Sequence, residues 1–140
     1  RLAVASGRSF RVVDLEVNGP SEGNLGSIVG KETAPFSAHL RPINALDWSR
    51  HSPDVLVTCG EDCRLFVWDL RQQQPAQSLL TPASWTAAVR WAPLSDKVIA
   101  TGHTDSICVW DIRNASQHMN VLAPGQSRVL GVDWSHHDKD

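Results

Sequence analysis

The stretch of sequence that decides the fold is VLVTCGEDCRLFVWD, which spans residues 55–69. Two short apolar runs flank a turn of small and acidic residues, and the second run ends in Trp68-Asp69. Runs of this kind on either side of a tight turn are typical of an antiparallel β-hairpin. The arrangement returns at residues 98–111 as VIATGHTDSICVWD, so we predict that the hairpin is one part of an internal repeat.

The tryptophans show the period of this repeat. Trp48, Trp91 and Trp134 are spaced by 43 residues, and Trp68 and Trp110 are 42 residues apart. Two interleaved series with one period indicate a repeated supersecondary unit. Each tryptophan of the first series closes a short patterned run that predicts a half-buried strand. These runs occupy residues 43–48, 86–91 and 129–134.

Each unit contains four predicted strands, because a weaker apolar run follows each hairpin, at Ala76 to Leu80 and at Met119 to Leu122. Four short antiparallel strands in forty-odd residues, the third ending in Trp-Asp, match one blade of a β-propeller. We therefore predict an all-β chain of about three four-stranded antiparallel blades, which form part of a larger ring of seven blades. The predicted divisions are an irregular blade at 1–38, regular blades at 39–81 and 82–124, and the first strand of a further blade at 125–140.

The first unit departs from the pattern of the other two. Leu2 to Gly7 matches a second strand and Phe10 to Asp14 matches a third, but Val13 stands where the tryptophan should be and Arg8 where the turn aspartate should be. The extra length of this unit lies between Leu15 and Ala38, which is rich in Gly, Ser and Pro. We predict a long surface loop over this segment.

Composition restricts the classes of partner. The 140 residues carry 13 basic and 15 acidic side chains without a basic stripe, so nucleic acid is not an expected partner. No apolar run approaches the roughly 20 residues that cross a bilayer, which predicts a soluble, cytoplasmic chain without direct membrane insertion. Three cysteines with no second ligand pair predict free thiols in a reducing compartment, and no zinc site.

Two further segments resemble ligand sites only superficially. Residues 26–32 are similar to a phosphate-binding loop, but one residue is missing between the glycines and Glu32 replaces the metal-binding hydroxyl. The terminal group could bind a metal as a set, but it fits a solvated connector better; it comprises His136, His137, Asp138 and Asp140. We predict no metal, no cofactor and no catalytic residues, and hence a protein that is not an enzyme.

A hydroxyl, an imidazole and a carboxylate recur at fixed offsets around the first hairpin, and they could be mistaken for a hydrolase site. With His39, Thr58, Asp62 and Trp68, the chain resembles the WD-repeat proteins. That resemblance implies a structural hydrogen-bond tetrad, in which Asp62 accepts from His39, His39 bonds Thr58, and Thr58 meets the Trp68 indole. Such a set satisfies polar groups that are held out of water between strands.

The next unit keeps only part of this set. Thr101, Asp105 and Trp110 occupy the matching positions, but Pro82 stands where His39 stands in the unit before. The resemblance therefore implies a partial tetrad, and we predict that this blade is locally weaker.

Three side chains are candidates for a partner surface: Trp85, Arg90 and Arg128. An aromatic residue in a connector, such as Trp85, either covers the core or anchors a partner. Arg90 interrupts the acidic first-strand positions Asp47 and Asp133, which weakens the alternative of a receptor that reads a short peptide at the channel mouth.

Within the WD-repeat family, the runs at residues 38–48, 53–58 and 66–71 resemble the WD-repeat subunits of the GATOR-two complex. The resemblance implies a protein–protein interaction scaffold that binds other subunits of a multi-protein complex. It further implies amino-acid sensing, promotion of TOR kinase signalling and a peripheral location at the lysosomal membrane. The alternative function is a WD-repeat receptor or adaptor for a peptide motif in another pathway.

Overall fold

The computed structural model describes residues 1–19, 27–81, 85–114, 118–123 and 128–135. These residues contain three four-stranded antiparallel sheets, so the predicted all-β class is confirmed. Pro82 and the terminal His and Asp group lie outside the described residues; that group comprises His136, His137, Asp138 and Asp140. No helix of the described residues has the length and apolar character that a membrane span requires.

The strands follow one another along the chain as consecutive antiparallel neighbours in the second and third sheets. The first sheet holds β1 (Leu2–Ser6), β2 (Ser9–Asn18), β3 (Ser27–Glu32) and β4 (Phe36–Ser37). The second holds β5 (Ile43–Trp48), β6 (Val55–Gly60), β7 (Arg64–Asp69) and β8 (Pro75–Leu80). The third holds β9 (Ala88–Trp91), β10 (Val98–Gly102), β11 (Ile107–Asp111) and β12 (His118–Leu122).

The first sheet corrects one prediction. The prediction of a loop from Leu15 to Ala38 is wrong at both ends of that segment. Strand β2 continues to Asn18, and its last six residues pair with β3. Strand β4 then pairs with the start of β2. The physical reason is the alternation of polar and apolar residues from Asp14 to Asn18, which continues the strand despite the Gly- and Ser-rich segment that follows.

The turn between β1 and β2 explains how the irregular blade begins. Two residues, Gly7 and Arg8, join the strands, and Gly7 has a φ of 60°. A positive φ at the first turn position is the mark of a type II′ hairpin, where glycine bears no steric cost. The hairpin therefore forms although the usual turn aspartate is replaced by Arg8.

The second sheet is buried on both faces. Leu56, Phe66 and Trp68 pack against the first sheet, whereas Val57 and Val67 pack against the third. Because successive side chains of a strand point to opposite faces, a strand that is covered on both sides must be apolar along its whole length. This explains the continuous apolar runs of β6 and β7.

Aromatic packing joins the first sheet to the second. The Trp68 ring meets Phe10 edge-on at 5.0 Å and Phe36 edge-on at 5.9 Å, and the two Phe rings stack at 4.9 Å. Full burial of one such side chain contributes about 1.5–3 kcal/mol. The irregular blade is thus held by its apolar face, without a tryptophan of its own.

The first strands of the second and third sheets, β5 and β9, lie side by side. The Asp47 carboxylate of β5 accepts the backbone N–H of Trp91 on β9 at 2.7 Å, and the Asn44 side chain donates to the Thr86 carbonyl at 2.9 Å. On the other side, the Ile43 N–H donates to the Gly7 carbonyl at 2.8 Å. Sheets that meet along their first strands are arranged like the blades of a propeller around its axis.

Candidate functional site

The structure brings together the four residues of the predicted tetrad. His39 precedes β5, Thr58 lies on β6, Asp62 lies in the turn after β6, and Trp68 lies on β7. The Trp68 indole donates to the Thr58 Oγ1 at 2.9 Å, and the same oxygen lies 2.8 Å from His39 Nε2. His39 Nδ1 lies 2.9 Å from an Asp62 oxygen. The set links the segment before the blade to its second and third strands.

The direction of these hydrogen bonds follows from the charge on His39. Burial lowers the pKa of His39 from its ordinary value of 6.5, and this effect outweighs the neighbouring Asp62 carboxylate, which raises it. The imidazole is therefore neutral, so Nδ1–H donates to Asp62 and Nε2 accepts from the Thr58 hydroxyl. Asp62 also accepts the backbone N–H groups of Leu40 at 2.9 Å and Arg64 at 3.3 Å.

The third sheet builds a similar network with a different histidine. The Trp110 indole donates to the Thr101 Oγ1 at 2.8 Å, and this oxygen lies 2.8 Å from His103 Nε2. His103 Nδ1 lies 3.5 Å from the Thr86 hydroxyl. His103 is fully buried, so its imidazole occupies the interior place that His39 takes in the preceding blade.

Sequence reasoning missed His103 and misplaced Asp105. Asp105 is exposed, and the hydrogen bond described for its carboxylate comes from the Ser106 hydroxyl at 3.2 Å. The contacts among the described residues therefore contradict the prediction that Asp105 belongs to a partial tetrad. His103 follows Gly102 at the end of β10, which brings its ring beside Thr101 through local chain geometry. A histidine two residues after the second-strand threonine was the available signal.

These networks perform a structural task. Thr58 and Thr101 are fully buried, and each hydroxyl is shared by an indole and an imidazole inside its sheet. A hydroxyl in that position cannot meet a substrate from solution. The arrangement instead satisfies polar groups whose burial would otherwise destabilise the blade.

Each regular blade also carries an Asp–Arg pair just after its third strand. Arg71 Nε donates to Asp69 at 2.8 Å, and Arg113 Nε donates to Asp111 at 2.9 Å. The hydrogen bonds from the adjacent arginine lower the pKa of Asp69 and that of Asp111 to about 2. Both carboxylates are therefore charged and already paired at neutral pH. The matching spacing in the two units is the sequence signal for this pair.

The predicted partner surface is divided by the structure. Arg128 lies over the Trp85 ring, with its guanidinium carbon 3.7 Å from the ring centroid. Arg90 instead lies on β9, and its Nε is 3.7 Å from an Asp133 oxygen. Trp85, which precedes β9, and Arg128, which follows β12, thus form one cation–π pair. Arg90 does not belong to this pair.

The cysteines are free thiols in the structure. Burial raises the pKa of Cys59 to about 12 and also raises that of Cys108. Cys63 is half-buried in the turn after β6, at a φ of 58°. Among the described residues, no group of three or more His, Cys, Asp or Glu side chains could hold a metal ion.

Three four-stranded antiparallel sheets, two third strands that end in Trp-Asp, and two threonine–indole–imidazole sets between strands together define the class of WD-repeat β-propellers. The family model that describes the WD domain, G-beta repeat, matches residues 30–69. The chain belongs to the WD-repeat family, as the sequence predicted.

Relatives give the resemblance within that family. The chain is 36% identical over 107 residues to a WD repeat-containing protein of Dictyostelium discoideum, a match that covers 74% of this chain and 6% of that protein. It is 31% identical over 113 residues to the GATOR2 complex protein WDR59 of Gallus gallus, covering 81% of this chain and 11% of that protein. It is 32% identical over 100 residues to maintenance of telomere capping protein 5 of Saccharomyces cerevisiae, covering 69% and 8%. The chain therefore spans about a tenth or less of the length of these relatives.

Proposed function

We propose that this part of the protein is a non-enzymatic scaffold that binds other protein subunits. The observation that carries the proposal is the Trp85–Arg128 pair, in which a half-buried aromatic ring and an exposed guanidinium lie together at 3.7 Å. Tryptophan and arginine are the residue types that most often dominate the energy of protein interfaces. The buried networks of Thr58 and Thr101 support the proposal, because they stiffen the blades that present this pair.

The cellular setting forms the second half of the proposal. The chain acts within a complex like GATOR2, where it promotes TOR kinase signalling in response to amino acids. It works in the cytoplasm, peripherally at the lysosomal membrane. The Gallus gallus relative is a GATOR2 complex protein, and this likeness supports the setting.

A second candidate is a receptor that reads a peptide at the channel mouth. The exposed carboxylate of Asp133 favours it, since its side chain is 71% exposed at a first-strand position, whereas Arg90 at the matching position of the third sheet interrupts the acidic series. Asp47, at the same position of the preceding blade, weakens it, because its carboxylate already binds the Trp91 N–H.

The test is affinity purification of the full-length protein from cells, with quantitative mass spectrometry of the proteins that accompany it. We expect GATOR2 subunits in near-stoichiometric amounts with the unaltered protein. Replacing Trp85 and Arg128 together by alanine should reduce the recovery of at least one subunit by about tenfold, the size expected for a lost hot spot of 1–2 kcal/mol.

A matched control tests the position of the surface. The double variant Arg50→Ala, Leu94→Ala removes two exposed side chains from the connectors that follow β5 and β9, whereas Trp85 lies in the connector before β9. It should leave every subunit in place. Equal losses from both double variants would contradict the assigned surface, and a different set of partners would remove the GATOR2 setting.

A further inference from the structure

Basic side chains are paired with carboxylates at one end of the sheets and unpaired at the other. Where the third strands finish, each of three arginines contacts an aspartate, in the pairs Arg1–Asp14, Arg71–Asp69 and Arg113–Asp111. At the opposite end, no ion pair of Arg41 or of Arg128 is found among the described residues. A guanidinium without a carboxylate of its own is able to bind one from a partner.

Three chain segments meet at this second end and border an open pocket. The connector before β5 lies beside the turn after β6, because the Glu61 N–H donates to the Pro42 carbonyl at 3.0 Å. The connector after β8 joins the same turn, where the Thr81 hydroxyl donates to the Cys63 carbonyl at 2.9 Å. The pocket has a volume of about 380 Å³, which lies in the range of ligand-binding sites. Its lining comprises Arg41, Glu61, Cys63 and Trp85.

Trp85 connects the two unpaired arginines. Its ring borders the pocket that Arg41 also lines, and the Arg128 guanidinium lies 3.7 Å from the centroid of the same ring. A guanidinium that stacks on an aromatic ring still presents the N–H groups of its planar edge, so Arg128 remains able to bind a carboxylate. Two exposed arginines are thus placed around one aromatic ring, within reach of one short segment of a partner.

The charges at this surface favour an anionic ligand. Among the described residues, Glu61 is the one carboxylate that lines the pocket. Asp62 is adjacent in sequence, but its side chain is 4% exposed and binds His39 and the Leu40 N–H. Two guanidiniums are therefore balanced by one exposed carboxylate, although the whole chain carries a formal net charge of -2. A local excess of one charge selects the opposite charge on a partner.

We propose that Arg41, Trp85 and Arg128 bind an acidic peptide segment of a partner protein. One carboxylate of the segment pairs with Arg41, another pairs with Arg128, and an apolar side chain between them packs on Trp85. The inference rests on the scaffold function proposed above and specifies the chemistry of the partner. A peptide fits this surface better than a nucleic acid, because neutralising a phosphate backbone needs a longer basic stripe than two guanidiniums.

The experiment measures the binding of short capped peptides to the full-length protein by isothermal titration calorimetry. The probe is Gly-Glu-Leu-Glu-Gly, and its matched control is Gly-Gln-Leu-Gln-Gly, which has the same length and shape without the charges. We expect saturable binding of the glutamate peptide, and binding of the glutamine peptide that is at least about tenfold weaker. Added salt should weaken the glutamate peptide, because salt screens exposed ion pairs.

Two double variants locate the site. Arg41→Gln with Arg128→Gln removes both proposed contacts and should weaken the glutamate peptide by about tenfold or more. Arg8→Gln with Arg50→Gln makes the same change in net charge at two exposed arginines that do not line the pocket, and it should alter the affinity by less than about twofold. Since all four side chains are exposed, both variants should fold, and their melting temperatures check this.

Any of several results would overturn the acidic ligand. They are no saturable binding of the glutamate peptide, equal affinity for the two peptides, equal effects of the two double variants, or binding that is about tenfold or more tighter when phosphoserine replaces both glutamates. If one of these occurs while the Trp85→Ala, Arg128→Ala variant still loses a co-purifying subunit, the acidic ligand is wrong and the scaffold function stands. If the glutamate peptide binds as expected but no subunits co-purify with the unaltered protein, the scaffold function fails instead.

Discussion

Two threonine hydroxyls show how single residues hold the blades together. Thr58 and Thr101 each lie between an indole N–H and an imidazole nitrogen, in sites closed to solvent. The Thr58 hydroxyl accepts from the Trp68 indole and donates to the neutral His39 imidazole, which a methyl group of the same shape cannot do. Stability at the residue scale therefore depends on chemistry as well as on packing volume.

The first prediction concerns the loss of one such hydroxyl. Thr58→Val keeps the shape of the side chain but leaves the Trp68 N–H and the His39 Nε2 without partners. We expect the free energy of unfolding, measured by urea denaturation, to fall by about 2–4 kcal/mol. Thr104→Val, which alters an exposed turn residue, should change it by less than about 0.5 kcal/mol. Similar losses in both variants would contradict the buried network.

The second prediction concerns pH and His39. Because burial lowers the folded-state pKa of His39 below its ordinary value of 6.5, the unfolded chain binds a proton that the folded chain does not. The stability that this histidine contributes is present above pH 6.5 and is lost as the pH falls toward the folded-state pKa. The loss is limited to about 1.4 kcal/mol per pH unit for one proton.

The measurement compares urea unfolding of the unaltered protein with that of His39→Gln between pH 7.5 and pH 5. We expect the unaltered protein to show the steeper loss of stability in acid, since glutamine does not titrate. Parallel curves for the two proteins would mean that His39 has the same pKa in both states.

At the scale of elements, burial determines which strands the sequence pattern reveals. Strands β6 and β7 are covered on both faces and read as continuous apolar runs. Strand β3 is a contrasting case, because Ile28 is 68% and Val29 is 52% exposed. Its strand state comes from backbone pairing with β2, and the Gly- and Ser-rich composition around it predicted a loop instead.

The third prediction concerns the close approach of β6 to the connector before β5. A Cβ atom at Gly60 would lie 2.7 Å from the Pro42 carbonyl oxygen and 3.1 Å from His39 Nδ1. Since the first of these is a backbone atom, Gly60→Ala should lower the free energy of unfolding by about 1–3 kcal/mol.

The control is Gly131→Ala, because nothing lies within 4 Å of a Cβ at that position. Its free energy of unfolding should stay within about 0.5 kcal/mol of the original. A tolerated alanine at Gly60 would show that β6 can move away from the connector at little cost.

At the scale of the whole molecule, the seams between sheets combine apolar packing with a few directed polar contacts. Asp47 is the clearest of these contacts, because its carboxylate on β5 accepts the Trp91 N–H on β9 at 2.7 Å. The first strand of a blade has no strand of its own sheet on its inner side, so this N–H would otherwise face the axis unpaired.

The fourth prediction tests this contact between blades. Asp47→Ala should lower the free energy of unfolding by about 1–3 kcal/mol, because it leaves a backbone N–H without its charged acceptor. Asp133→Ala is the matched control at the same first-strand position, where the carboxylate is 71% exposed. It should cost less than about 0.5 kcal/mol in the same urea titration. A reversed order of the two effects would contradict the role of Asp47.

The amino-acid sequence by itself determined the repeat, the strands of the two regular blades and the residues of the first tetrad. These features have local causes, since hydrophobic periodicity and turn residues act within a few positions of the chain. The spacing of Trp68 and Trp110 was enough to establish the period, and the second and third sheets contain the four strands that this period implied.

Only the tertiary structure decided which side chains meet across the sheets. It placed His103 beside Thr101, and it paired Trp85 with Arg128 while separating both from Arg90. The physical reason is that such contacts depend on how neighbouring sheets twist and pack, and residues far apart in the chain share no local pattern.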